Sequence, residues 1–486
     1  MILAAILVLP LLTAVLCWIP AIGKRVAGAL TLVSSLILLA LSVVAVLQVI
    51  ETGRVQAVRG WLEVDALGVL ILLLVTAVAV TASVFSLGYM PATTHDLGRL
   101  YHYYGNLNLF IFSMVGVPLL AVPSVTWLAV EFTTLLSVLL VGYESNREAL
   151  EAAWKYAMLT LTGAAIALFG FLVLFWAMQS AGGSDYTWTG LAAVGPRMSP
   201  VLMKTAYLTI LVGFGTKVGL VPLHTWLPDA HSQAPTPVCA LLSGVETTAI
   251  LYVILRLMPI AHLSLGATAE RWALTFGLIS VGVAAFLLIQ VHDYKRLFAY
   301  STVEHMGIVC VGAGVGGPGG MLGAMAQIVS HSVTKSFCFY AAGATLLAVG
   351  TREIASVRGL IRTSPVAGAA LLFGALAIGG APPFAVFLSE FSIFRAGLEQ
   401  GQFLVTALLV ALITVAFFGI LMHVNRMVFG APPDSGSAER HALPTTCLVA
   451  LIIAAIPVLV LGVYQPVSLH ALLSLAASNL APSPAP

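Results

Sequence analysis

Runs of about twenty apolar residues, separated by short polar or Gly/Pro-rich stretches, recur along the whole chain, and in helical form each matches the thickness of bilayer hydrocarbon. Cutting at the interruptions predicts fourteen spans, near residues 2–19, 26–48, 66–88, 107–122, 124–142, 155–179, 204–226, 237–257, 272–290, 296–313, 321–347, 367–395, 404–426 and 444–464. The first run has no basic stretch before it and Lys24 and Arg25 after it, so it reads as a retained span and not as a signal peptide. Composition leaves no room for a soluble reading: 60% of residues are hydrophobic and 8% charged, with a mean hydropathy of +1.04. The predicted fold is an all-α polytopic membrane protein. A net charge of +2 carries no argument for nucleic acid.

Basic residues orient the spans. The odd-numbered connections, helix ends included, hold Lys24, Arg25, Arg99, Arg147, Lys155, Lys295, Arg296, Arg352, Arg358, Arg362, Arg426 and Arg440. The even-numbered ones hold Arg54, Arg59, Arg197, Lys204, Arg256, Arg271 and Arg395. Twelve against seven predicts that both termini face away from the cytoplasm. The two remaining basic residues, Lys217 and Lys335, lie inside spans.

A charge at membrane depth costs roughly 2.5–3.5 kcal/mol on insertion scales, so an intramembrane lysine points to function. Lys217 is followed by Gly219 and Pro222, which end the helix at that depth, and a second break is predicted at Gly379, Gly380, Pro382 and Pro383, just before Glu390. Glu131 and Lys217 are 86 residues apart, as are Glu304 and Glu390, and the two pairs are offset by 173. That offset moves each span five places and maps spans 4–8 onto 9–13 with inverted topology, a design that recurs in transporters with broken helices. The expected organisation is an N-terminal three-helix segment (1–106), two five-helix repeats (107–258 and 272–430) and a C-terminal helix with a tail (431–486).

The polar residues inside spans carry the candidate chemistry. Glu131, central in the fifth span, wants a cation, and Lys217 is the expected partner. Desolvation disfavours both charges while their attraction favours both, so a pair that can be made and broken is a proton switch. His331 and Lys335, four residues apart, share a helix face. Glu246, Glu304 and His305 extend the list toward Glu390, so a polar row through the bundle is expected. The alternative is that individual members only satisfy helix contacts.

No cofactor site is expected. GAGVGG at 312–317 has the letters of a dinucleotide-binding loop but follows a membrane helix and not a strand. His305, His331 and His423 form no convincing haem pair. Cys17, Cys239, Cys310, Cys338 and Cys447 are scattered without a CxxC, which supports neither a disulfide framework nor a metal cluster.

Several segments resemble a known family: LVPLHTWLPDAHSQAPTPVCALLSGV, AYSTVEHMGI from Ala299, SHSVTK from Ser330 and GGAPPFAVFLSEF from Gly379. They are similar to the antiporter-like proton-channel subunits of respiratory complex I, of group 4 (hydrogenase-4-type) membrane-bound hydrogenases and of multisubunit sodium/proton antiporters. The resemblance covers about spans 4 to 13. It implies fourteen helices, broken helices 7 and 12, and a central hydrophilic axis. Carried over by position, it assigns the fifth-helix glutamate to Glu131, the seventh-helix lysine to Lys217, the eleventh-helix basic residues to His331 and Lys335, and the terminal twelfth-helix group to Glu390. Where quinone-reductase members place a lysine in helix 8 this chain has Thr248, with Glu246 two residues earlier, about 200° around a helix. Glu246 is therefore expected either to face the axis on a rotated helix or to face a partner subunit.

The resemblance implies a proton-translocating, non-catalytic subunit of a redox-driven complex in a bacterial cytoplasmic membrane. Its partners would be other membrane subunits and, through them, a peripheral redox arm. The alternatives are a subunit of a sodium/proton antiporter, a non-conducting scaffold, and a redox enzyme in its own right.

Overall fold

The computed structural model describes residues 1–94, 97–431 and 442–480. Three helices open the chain: α1 (Ile2–Cys17), α2 (Lys24–Thr52) and α3 (Ala66–Thr93). Next come α4 (Leu100–Leu119), α5 (Pro123–Val141), α6 (Arg147–Ser180), the pair α7 (Pro200–Val218) and α8 (Trp226–Gln233), and α9 (Thr236–Leu265). A second series follows: α10 (Thr268–Ile289), α11 (Tyr294–Val315), α12 (Gly317–Val349), the pair α13 (Pro365–Ile378) and α14 (Ala385–Glu399), and α15 (Phe403–Phe429). The last two helices are α16 (Thr445–Val463) and α17 (Val467–Leu480).

Among the described residues, ten helices are long and apolar enough to cross a membrane. Large apolar side chains such as Leu36, Leu172, Phe286, Phe418 and Ile452 are exposed around the outside, where lipid removes the penalty that water would impose. The polar residues go inward, and α9 is buried along its apolar length. Local signals set the helix ends. The Asn146 carbonyl oxygen of the side chain accepts from the backbone N–H of Ala149 at 2.7 Å and starts α6, and Asp293 accepts from the N–H groups of Lys295 (2.7 Å) and Arg296 (3.1 Å) and starts α11. Proline supplies the first turn of α5, α7 and α13.

The two series run in parallel. Helices α4, α5 and α6 have 20, 19 and 34 residues; α10, α11 and α12 have 22, 22 and 33. Each series then has a helix in two pieces, α7/α8 and α13/α14, and closes on a long helix, α9 or α15. Gly219 (φ +89°) ends α7, and Gly380 (φ +75°) lies in the gap after α13; both occupy the left-handed region open to glycine. Pro222 and Pro383 follow cis peptide bonds, and Pro382 sits beside Pro383 in the second gap. Lys217 lies before the first gap and Glu390 beyond the second, so their equal spacing in sequence does not give them equal positions about the breaks.

The connections sort onto two faces. A cavity of about 610 Å³ is lined by Ser232, Gln233, His292, Asp293, Thr351 and Arg352, which gathers the odd-numbered connections 7, 9 and 11. Another, of about 560 Å³, brings together Arg54, Asp65, Thr189 and Arg256 from connections 2, 6 and 8. Arg440, used above to orient the chain, lies outside the described residues, as do 481–486 of the predicted tail.

Three features depart from the pattern expected of the sequence. The seventh span does not stop near residue 226: a second short helix carries it to Gln233. The link between α2 and α3 is an antiparallel hairpin of β1 (Arg54–Ala57) and β2 (Leu62–Asp65), with Arg54 opposite Asp65 and positive φ at Val58, Arg59 and Gly60 in the turn. After α16 the chain adds α17, which buries Leu472, Leu473, Ala476, Ala477 and Leu480 on one face. GAGVGG forms no nucleotide loop; it spans the end of α11 and the start of α12.

Helices α10 and α11 meet through two glycines. A Cβ on Gly277 would lie 2.6 Å from the Gly307 carbonyl oxygen, and one on Gly307 would lie 2.7 Å from the Gly277 oxygen. Small residues at such crossings let backbones approach in lipid, where packing and not the hydrophobic effect holds helices together. Gly307→Val is expected to lower stability by about 1–3 kcal/mol, read as a drop in thermal midpoint in detergent. Gly282→Ala, whose Cβ would stand 3.7 Å from Leu412, is the control that should change little.

Candidate functional site

The interior holds a row of charged and titratable side chains. Lys217, on the last turn of α7, is 2% exposed. Its ammonium donates to the carbonyl of Val130 and to the Thr133 hydroxyl (2.7 Å), both on α5, and stands 3.9 Å from the Glu246 carboxylate. Thr133 in turn donates back to the Val130 carbonyl, so one helix turn cradles the lysine.

The partner differs from the one expected. The ion pair is with Glu246 on α9, whereas Glu131 is half-buried on α5 and its Oε1 has no hydrogen-bond partner. The reason lies in the backbone of α9. Residues Leu242–Glu246 form a π-helical stretch, where each N–H reaches one residue further back than in an α-helix. One additional residue per turn rotates the remainder of the helix by about 100°. Glu246 is thereby buried (1% exposed) and faces the axis and not a neighbouring subunit, accepting a hydrogen bond from the Tyr156 hydroxyl at 3.3 Å. Tyr156 also meets Ser137 of α5 at 2.7 Å. Thr248 bonds only to carbonyls of its own helix, Gly244 and Val245.

From the same π-helical stretch, Ser243 carries the network into the second series. Its carbonyl meets His331 Nε2 at 3.0 Å, and its hydroxyl meets that of Thr302 at 2.6 Å. The rings of His331 and His305 lie 5.3 Å apart. His305 Nε2 contacts the Ile378 carbonyl at the end of α13 (3.0 Å), and its Nδ1 meets Gln327 at 3.0 Å. Gln327 accepts from Ser389 at 2.5 Å, and Ser389 adjoins Glu390. The Glu390 carboxylate lies against Gly380, so the second gap and the terminal carboxylate touch. Glu304 is 3% exposed and its Oε2 has no partner.

Lys335, fully buried, repeats the cradle of Lys217. It donates to the Phe298 carbonyl and, at 2.5 Å, to the hydroxyl of Ser301, which itself donates to Phe298. Among the described residues no carboxylate lies within ion-pair distance of Lys335.

Sequence reasoning passed over several members. Tyr156, Ser243, Gln327 and Ser389 connect the row, but buried hydroxyls and amides in apolar helices carry little sequence signal. Lys295, counted above with the connections, is 2% exposed and donates to the carbonyls of Ser232 (3.2 Å) and Ala234 (2.6 Å). Its place two residues after a capping Asp293 was the available clue. His423 meets the backbone at Ile289 (3.1 Å) and Leu288 and joins none of these groups. Among the described residues no cluster of His, Cys, Asp or Glu could hold a metal, and the five cysteines are free and buried.

Helices broken at depth beside buried lysines and carboxylates define a class: polytopic membrane proteins with a charged interior axis. Residues 124–417 match the family described as the membrane region of NADH:quinone oxidoreductases and Mrp antiporters, and the chain belongs to that family. It is similar to a hydrogenase-4 component F homolog of Methylacidiphilum infernorum, 36% identical over 413 residues that cover 83% of this chain and 85% of that one. It is similar also to NADH-quinone oxidoreductase subunit N of Desulforudis audaxviator, 26% identical over 461 residues, covering 89% and 90% of the two chains. In fold it matches a chain of the membrane-bound sulfane sulfur reductase, an archaeal respiratory membrane complex, with a TM-score of 0.88 and 22% identity over 99% of this chain and 98% of that one.

Proposed function

We propose that this chain conducts protons across the membrane as the antiporter-like subunit of a redox-driven complex of the hydrogenase-4 or complex I type. The observation that carries the reading is the buried interior row from the Lys217–Glu246 pair, through Ser243 three residues earlier on the same helix, to His331, His305, Gln327, Ser389 and Glu390. Each titratable member can hold a proton, and Gln327 and Ser389 bridge His305 to the turn that carries Glu390.

The matched helix lengths and the two gaps support two inverted five-helix repeats within fourteen crossings, with both ends of the bundle on the side away from the cytoplasm. The first repeat supplies Lys217 and Glu246, the second Lys335 and Glu390. Loosening the 3.9 Å contact with Glu246 destabilises the charge on Lys217 and sends its proton onward. Moving one charge against 100 mV takes about 2.3 kcal/mol, within reach of a carboxylate shifting a few ångströms in a low dielectric. The relatives named above point to partner membrane subunits and a redox arm as the source of that energy.

The test is proton uptake by vesicles holding the intact complex, driven by its electron donor, in sodium and in choline media. Equal uptake in both supports the reading. Uptake that requires sodium assigns the chain to sodium/proton exchange instead, and electron transfer with no uptake assigns it a scaffold role.

A further inference from the structure

We propose that the cavity lined by Ser232, Asp293 and Arg352 is a proton inlet to the second repeat, leading through Lys295 and His231 to Lys335. The inference rests on the proposed conduction and adds a point of access to it.

Four observations lead there. The cavity, about 610 Å³, is open, and its lining includes the polar side chains of Gln233, Gln290, His292, Asp293, Arg296 and Arg352. Its inner wall is the end of α8, where Ser232 donates to Asp293 at 2.6 Å and its carbonyl accepts from both Arg352 and Lys295. Lys295 stands behind that wall, held by the carbonyls on either side of Gln233. His231, next to Ser232 in the chain, is fully buried, and neither of its ring nitrogens has a hydrogen-bond partner.

A buried imidazole with both nitrogens unsatisfied is costly, because each has given up its hydrogen bond to water without a replacement. Buried polar groups left so are singled out by water or by function. The ring stacks on Phe339 at 5.0 Å, and Phe339 lies one helix turn beyond Lys335 on α12. Phe298, whose carbonyl holds the Lys335 ammonium, packs against the same Phe339 ring at 6.3 Å. His231 thus lies within electrostatic reach of two buried ammonium groups, Lys295 behind the cavity wall and Lys335 on the axis, with both nitrogens available.

In the transfer, a hydronium in the cavity protonates one ring nitrogen of His231 past the Lys295 ammonium, and the other nitrogen releases its proton to neutral Lys335. Rotation of the ring restores the starting tautomer. Nothing is oxidised or reduced. Lys295 remains an ammonium and acts as a gate, since its charge opposes a proton waiting at His231 until Lys335 is neutral and can take it.

The experiment uses the intact complex in vesicles. His231→Phe keeps the stack on Phe339 and removes both nitrogens; Gln233→Cys places a thiol in the cavity wall for a membrane-impermeant maleimide. Proton uptake is expected to fall to about a tenth or less in His231→Phe relative to wild type, and in labelled Gln233→Cys relative to the unlabelled variant. Wild-type uptake in both His231→Phe and fully labelled Gln233→Cys, alongside loss in Lys217→Ala, overturns the inlet and leaves the conduction reading standing. Full uptake in Lys217→Ala overturns both.

Discussion

Lys217→Ala is expected to give a complex that assembles and transfers electrons but moves protons at about a tenth of the wild-type rate or less. The side chain is nearly fully buried and its ammonium is held by two groups of one helix turn on α5. Its removal deletes a station of the row with little loss of apolar packing. It also leaves the Glu246 carboxylate buried without its cation. Proton uptake by vesicles, with assembly checked on native gels, measures the outcome. Flux above half the wild-type value in an intact complex would remove Lys217 from the path.

Glu246→Gln should be nearly as severe, and clearly worse than Glu131→Gln. The geometry ranks them: the carboxylate of Glu246 is the one in ion-pair range of Lys217, while Glu131 is half-buried on α5 with an unpartnered Oε1. Without Glu246, Lys217 loses its carboxylate within ion-pair range and Tyr156 loses the carboxylate to which it donates. Because both residues serve one step, the double variant Lys217→Ala/Glu246→Gln should lose little beyond either single change. Measured rates that simply multiply would show two independent roles. A Glu131→Gln defect equal to that of Glu246→Gln would place the switch on α5 instead.

Much of this site was legible in the sequence because its strongest signals are local. An ammonium inside an apolar run announces itself, as Lys217 and Lys335 do, and Gly–Pro clusters mark the gaps at Pro222 and at Pro382 and Pro383. Pairing was less legible. Choosing between Glu131 and Glu246 requires the rotation of α9, which the π-helical stretch at Leu242–Glu246 sets and which no hydrophobic period reveals, since every residue there is buried. Lys295 was hidden for a related reason: at a helix start, a lysine facing water and one turned inward onto carbonyls look alike in sequence. The β1–β2 hairpin could have been found from Val55, Ala57, Leu62 and Val64 alternating about Arg59 and Gly60, but the long apolar runs on either side drew the reading toward a plain loop.

The two lysine cradles are chemically the same object: a main-chain carbonyl and, three residues on, a hydroxyl that shares it, Val130 with Thr133 and Phe298 with Ser301. Neutral dipoles solvate an ammonium without fixing a counter-charge beside it, so the two sites make closely similar hosts for the same cation. Among the described residues they differ by one carboxylate, within ion-pair range of Lys217 and without a counterpart at Lys335. The asymmetry between the two cradles is therefore carried by Glu246, and displacing that side chain would leave two closely similar ammonium sites. On the proposed reading, a chain built in this way would set the path for the charge and leave its direction to whatever moves Glu246.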